Sequence, residues 1–224
     1  MVAMTSTPAR TRGRPRAFDR DKALAAAVEV FWRKGFEGTS ISDLTEAMGI
    51  NPPSLYAAFG DKEQLFLEAA ESYGRKRGSE CPYCDEPTAR GAVEKLLTYM
   101  ARELSASDQP RGCMMVNAAA TSANASARLQ RVLAEKRAAN REHMRARIKR
   151  GIADGDVPAD TDAGALADFY VTIMSGLSMQ ARDGASRKSL LATVERAMLV
   201  FPKRSKRKSA PALAEPKRKA PATA

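Results

Sequence analysis

Capping residues and glycines alternate so closely through residues 19–66 that this segment has room only for short, sharply bounded helices. Asp19 or Asp21 can cap a first helix, in which Leu24, Ala27, Val28 and Phe31 follow the i, i+3, i+4, i+7 spacing of one helical face. Gly35 closes it, because glycine takes the backbone conformation that ends a helix at little steric cost. Ser40 caps the next, with Asp43 three residues on as in a capping box and Ile41, Leu44 and Met48 on the inner face. Gly49 stops that helix. Asn51 caps a third, with Pro52 at its first position, where a missing N–H breaks no bond, and Leu55 and Phe59 facing inward. Gly60 and Asp61 then turn the chain into a longer helix carrying Leu65, Phe66 and Ala69.

No segment alternates apolar and polar residues as a half-buried strand would, so the expected fold class is all-α. Beyond a loop at residues 78–90, the pattern predicts helices at about 90–106, 111–122, 126–152, 161–182 and 187–201. The fourth of these carries an apolar stripe of Leu166, Phe169, Tyr170, Ile173, Met174 and Leu177. The fifth carries Leu190, Leu191, Val194, Ala197, Met198 and Phe201. Residues 128–150 are heavily charged, so much of that helix should be solvated. After Pro202 the chain turns Lys/Ala/Pro/Ser-rich and cannot build a core. The expected domains are therefore a basic arm at 1–18, a helix-turn-helix head at 19–66, a helical body at 67–201 and a basic tail at 202–224.

Two short helices joined by a glycine turn within residues 40–59 have the sequence shape of a helix-turn-helix. The second helix is short and capped, so its N-terminal end can enter a major groove while its apolar side stays packed. Groove-facing candidates are Asn51, Pro53, Ser54 and Tyr56. Thr39 and Ser40, at the start of the preceding helix, can offer hydroxyl and N–H groups to a phosphate, and Lys62 is placed for another backbone contact.

Residues 23–66, ALAAAVEVFWRKGFEGTSISDLTEAMGINPPSLYAAFGDKEQLF, resemble the DNA-binding domain of TetR-type (TetR/AcrR) transcriptional regulators. The resemblance runs through Gly35–Ser40, Asp43–Gly49, Ser54–Phe59 and Asp61–Glu63. It implies a homodimer whose three N-terminal helices bind a double-stranded operator and whose larger C-terminal domain binds a small molecule. It also implies dimerisation through the last two long helices, for which Leu166, Tyr170, Ile173, Leu177, Leu190, Val194 and Met198 are the candidates. Tyr56 and Lys62 match the family pattern and by that resemblance would hold the DNA backbone. Two departures stand out: Asn51-Pro52-Pro53-Ser54 replaces the family's frequent Ser-x-Gly-Thr, and Ala58 replaces a frequent aromatic or histidine. The operator sequence therefore does not carry over. Predicted apolar faces nominate Tyr99, Met114, Asn117, Phe169 and Met174 for the effector pocket.

The net charge of +11 is localised. Arg10, Arg12, Arg14 and Arg16 give the first eighteen residues their excess, and the last twenty-three carry eight basic residues against Glu215. Within Arg12-Gly13-Arg14-Pro15-Arg16, the Arg-Gly-Arg-Pro run resembles an AT-hook core, whose extended backbone lets Arg12 and Arg14 lie in a narrow A·T minor groove, with Arg16 beside them as a further DNA contact; the alternative is a basic tail drawn to phosphates alone. The C-terminal tail should add salt-sensitive affinity or serve only solubility.

Cys81-Pro82-Tyr83-Cys84 has the spacing of a redox dithiol or half a zinc site. A dithiol enzyme needs a strand before the motif and a helix after it, whereas here a helical segment precedes it and Asp85 and Glu86 follow. Only Cys113 and His143 remain as soft ligands, so no metal site and no cofactor is expected. Cys81, Cys84 and Cys113 stay as redox candidates, which keeps a thiol-responsive regulator as an alternative; a less specific nucleoid-type DNA-binding protein is another. No catalytic triad, phosphate loop or H-E-x-x-H occurs, so no enzyme is expected. Apolar runs fall well short of the ~20 residues that span a bilayer, and the odd cysteine count suits a reducing compartment, so a cytoplasmic, nucleoid-associated protein without a membrane partner is expected.

Overall fold

A computed structural model describes residues 18–79, 83, 85–121 and 126–203. Among them run nine helices and no strand: α1 (Arg20–Lys34), α2 (Ile41–Met48), α3 (Pro52–Phe59), α4 (Lys62–Ser79), α5 (Ala89–Leu104), α6 (Met114–Thr121), α7 (Ala127–Ala153), α8 (Ala163–Arg182) and α9 (Arg187–Met198). The all-α expectation holds. The caps fall where the sequence put them. Asp19 accepts from the amides of Asp21 and Lys22. Ser40 and Asp43 close a full capping box on α2, and Gly49 ends it in the left-handed region at φ 64°, ψ 33°. Asn51 accepts from the Ser54 amide with Pro52 at the first position, and Asp61 accepts from the Gln64 amide.

Later helix ends differ from expectation by a few residues. The helix predicted from residue 111 starts at Met114, because Gly112 adopts φ 78° in a loop that α6 must follow. The last helix ends at Met198 and the chain closes in a turn through Phe201.

Two hydrophobic clusters organise the body. The first gathers Leu24, Ala27, Phe31 and Trp32 of α1, Leu44 and Met48 of α2, Leu55 and Phe59 of α3, and Leu65, Phe66 and Tyr73 of α4, with Met114 of α6 and Leu129 and Leu133 of α7. Phe66 meets Phe31 and Phe36 edge-on at 5.1 and 5.3 Å between ring centres. The second cluster joins α5, the end of α7, α8 and α9 around Leu97, Ile148, Tyr170, Val194 and Phe201. Residue 66 lies inside α4, so one continuous helix leaves the head and enters the body.

The α8 and α9 stripes are a correction. Leu166, Tyr170, Leu177, Leu190, Val194 and Met198, expected at a subunit interface, lie in the second cluster and are buried within the single chain. Tyr170 also donates to the Ala197 carbonyl at 3.2 Å, which ties α8 to α9. Burial, opposed by Arg90, pushes its hydroxyl up to about 12. Only Ile173 of the seven remains half-buried. The strongest apolar stripe on each helix satisfies its own bundle first, which leaves weaker ridges facing out.

Candidate functional site

The helix-turn-helix is rigidly built. Leu55 and Phe59, one turn apart, hold α3 to the head core, so Pro53 and Ala57 lie on the opposite face, both exposed. Tyr56 is 50% exposed on one flank of that ridge, and Ser54 is half-buried on the other. Asn51 is exposed, but its Oδ1 is committed to the Ser54 amide at 2.8 Å. The four groove-facing candidates Asn51, Pro53, Ser54 and Tyr56 thus sit together at the start and outer side of α3.

The phosphate candidates divide. Thr39 is a correction: it is buried, and its hydroxyl donates to the Gly35 carbonyl at 2.6 Å, so it fixes the turn between α1 and α2 and has no hydroxyl to give a phosphate. Ser40 is exposed; its oxygen and N–H serve the capping box with Asp43, which leaves the hydroxyl proton to donate outward. Lys62 donates to the Thr39 carbonyl at 2.7 Å and lies 4.5 Å from the Phe36 ring centre, so its ammonium already braces α4 against the α1–α2 turn. The other head cations are also engaged. Arg20 forks onto Glu68, Lys34 meets Asp43 at 2.7 Å and Arg33 meets Glu29 at 2.7 Å, while Lys22 stands 3.7 Å from Asp19. The Lys34 contact, with the Ser40 amide, draws the Asp43 carboxyl down to about 2.

Directly behind the head lies a cavity of about 730 Å³. Its walls are Tyr73, Gly74 and Arg77 of α4, a face of α5 that includes Val93, Leu96, Tyr99, Met100 and Leu104, and Asn140, His143, Met144 and Arg147 of α7, closed by Tyr83, Cys113 and Met174. Of the five pocket candidates, Tyr99 and Met174 line it. Met114 and Asn117 are corrections, being buried in the packing around α6, and so is Phe169, which packs against the second cluster and edge-on to Tyr170 at 5.1 Å. The five pocket candidates include none of the α7 wall, although residues 140, 143, 144 and 147 share one helical face. His143 borders this cavity and is exposed. Arg147 donates to the Glu86 carbonyl at 2.9 Å; burial, then Arg150, pulls its guanidinium below the usual value, with Asp156, Asp154 and Glu86 opposing.

Cavity and head are mechanically joined. Arg77 stacks 5.3 Å from both the Trp32 and Tyr73 ring centres. The buried Trp32 indole donates to the Gly112 carbonyl at 2.8 Å, and the next residue's amide, Cys113, donates to the Ser178 hydroxyl at 2.8 Å. Desolvation and the Cys113 thiol raise the Tyr73 hydroxyl above its ordinary value. Cys113 is a free, half-buried thiol at the cavity wall. Cys81, Cys84, Arg12, Arg14 and Arg16 lie outside the described residues. No cluster of three metal-ligating side chains occurs among the described residues, and no helix there is long and apolar enough to cross a membrane.

The family model "Bacterial regulatory proteins, tetR family" matches residues 23–69, and "Tetracyclin repressor-like, C-terminal domain" matches residues 90–197. The chain is 32% identical over 197 residues to the transcriptional repressor ComR of Escherichia coli, covering 86% of this chain and 93% of that protein. It is 34% identical over 201 residues to the repressor BdcR of the same organism, covering 85% and 92%. Among solved structures, a cysteine variant of the TetR family regulator CifR bound to 26-bp double-strand operator DNA superposes with a TM-score of 0.81 at 47% identity, covering 85% of this chain and all of that one.

Proposed function

The chain belongs to the TetR family of bacterial regulatory proteins and is a DNA-binding transcriptional regulator; on that premise we propose that it represses as a homodimer and is released from its operator when a small molecule fills the cavity behind the head. In this reading α3 enters the major groove with Asn51, Pro53, Ser54 and Tyr56, Ser40 donates to a phosphate, and the basic arms supply the attraction to the polyanion. The dimer face is the outward ridge of α8, Ala165, Phe169, Thr172, Gly176 and Met179, beside the exposed Leu199 and Val200 that follow α9.

The observation that carries the release step is the identity of one cavity wall. Tyr73, Gly74 and Arg77 belong to α4, the same rigid helix that begins three residues after α3 ends. A ligand that displaces this wall moves the head as a lever. It releases DNA only by as much as it prefers the displaced state over the DNA-bound one.

The test uses a reporter driven by an operator recovered by genome-wide footprinting, screened with small apolar and amphipathic compounds. Compounds that derepress the native protein should fail with Leu96→Trp, which fills the half-buried wall of α5 and still represses. Hits that act equally on Leu96→Trp would place the effector elsewhere. A second reading rests on Cys113 lining the same cavity beside Tyr73: a thiol-responsive regulator. Operator release by a mild oxidant, abolished by Cys113→Ser, would establish it.

A further inference from the structure

The outer ridge of α3 has no group able to form a paired hydrogen bond with a base edge. The helix and its cap, Asn51 to Phe59, carry no arginine, lysine, glutamine, aspartate or glutamate. Those side chains, with asparagine, make the hydrogen bonds that distinguish G, A and C in the major groove, in pairs on G and A and singly on C. The single amide, Asn51, has its oxygen tied to the Ser54 amide at 2.8 Å, so it cannot swing both its oxygen and its N–H onto one base while it caps the helix. What projects furthest from the core is the Pro53 ring and the Ala57 methyl, one helical turn apart and both exposed, with Leu55 and Phe59 buried on the other side.

Apolar groups pressed onto a base edge favour the one edge that is itself apolar. Thymine presents a C5-methyl group, whereas cytosine presents an N4 amino donor that would lose its water beneath a proline ring or a methyl. We infer that Pro53 and Ala57 set operator specificity by packing on thymine methyl groups in each half-site, with Ser54 and Tyr56 as flanking hydroxyl contacts. This rests on α3 as the groove-entering helix. It commits the recognition chemistry to methyl burial where an arginine-bearing helix would read guanine. The sequence shows why: Pro52-Pro53 stiffens the helix start and presents a ring surface where a small residue with a free N–H would allow close polar approach.

The experiment needs no altered protein. An operator selected from random duplex DNA by the full-length chain is remade with each deoxythymidine replaced in turn by deoxyuridine, which removes only the methyl and leaves every hydrogen-bonding edge intact. Binding is read by fluorescence anisotropy. One or two positions per half-site should weaken binding about fourfold each, the worth of one buried methyl. In Ala57→Ser at least one of those penalties should fall below about twofold, because a hydroxyl then meets the vacated site. If no deoxyuridine costs as much as twofold, methyl readout is overturned. Ala57→Glu separates that outcome from a failure of the α3 assignment, since a carboxylate on the ridge must abolish binding if α3 lies in the groove. Loss of binding in Ala57→Glu with no deoxyuridine penalty leaves α3 as the reader and removes only the methyl mechanism. Unaltered binding in Ala57→Glu overturns both.

Discussion

Removing residues 1–17 is expected to cost more DNA affinity than losing any one polar contact of the head, because the head itself is acidic. Residues 18–69 hold five basic side chains, Arg20, Lys22, Arg33, Lys34 and Lys62, against nine acidic ones, a net of −4. Four of the five stand within ion-pair distance of a carboxylate, and Lys62 is bonded to a carbonyl. Alone, this surface repels a phosphate backbone. Arg10, Arg12, Arg14 and Arg16 bring four positive charges and no acid. Each phosphate neutralised by an arginine steepens the fall of log affinity with log salt by about 0.9. All four together give about 3.6 per protomer, which between 50 and 200 mM salt amounts to roughly a 150-fold change in affinity. The assay compares the full-length chain with one beginning at Phe18 on the same operator across that salt range. Circular dichroism should show that the shortened chain keeps the helices of the head and body, since α1 is capped by Asp19. A slope that falls by less than about one per protomer would refute the reasoning. It would mean that the head opens its own ion pairs to meet the backbone.

Three further outcomes follow from the packing. Trp32→Phe keeps most of the ring but leaves the Gly112 carbonyl without its indole donor, so urea denaturation should show a loss of about 1–3 kcal/mol. Thr39→Val should cost about 1 kcal/mol in the same assay and leave the salt dependence of operator binding unchanged, because the Thr39 hydroxyl is spent on Gly35. The Asp43 carboxyl titrates at about 2 in the folded head, below its ordinary 3.8. Its contribution is therefore complete above about pH 4 and lost as pH falls through 2. In Asp43→Asn the acid limb of the denaturation midpoint between those values should flatten; an unchanged limb would mean the carboxylate does not support the folded head.

What the sequence made legible is local. Ser40 with Asp43, Asn51 with Pro52, and Gly49 with its left-handed backbone each act within a few residues, so their roles could be read without knowing what packs on them. Thr39 was misjudged for the complementary reason. Its position before a cap suits a phosphate contact, and only the fold shows the Gly35 carbonyl beneath its hydroxyl. The α8 and α9 stripes failed in the same way: periodicity says that one face of a helix is apolar, but not whether its own chain or a second copy covers it. Leu166, Tyr170 and Leu177 are covered from within. The cavity was partly visible, through Tyr99 and Met174, but its walls come from helices far apart in sequence.

The loop between α5 and α6 joins these parts, and its chemistry explains why so short a segment matters. Gly112 donates to the Leu104 carbonyl and accepts from Trp32 of the head, at φ 78°, where a side chain would be strained. A Cβ there would also stand 2.9 Å from the Ser178 carbonyl oxygen of α8. The next residue, Cys113, binds Ser178 through its amide and lines the cavity with its side chain. Under the release step proposed above, three consequences of filling the cavity would meet within two residues: pressure on Cys113, a pull on α8, and a shift of the carbonyl that holds Trp32. Arg77, on the same cavity wall, stacks on Trp32 from the α4 side. Trp32 is thus gripped from both cavity walls that reach the head. In the proposed release step, a ligand that moves either one would change how α1 sits on α4, and α3 is joined to that pair through α2 and α4.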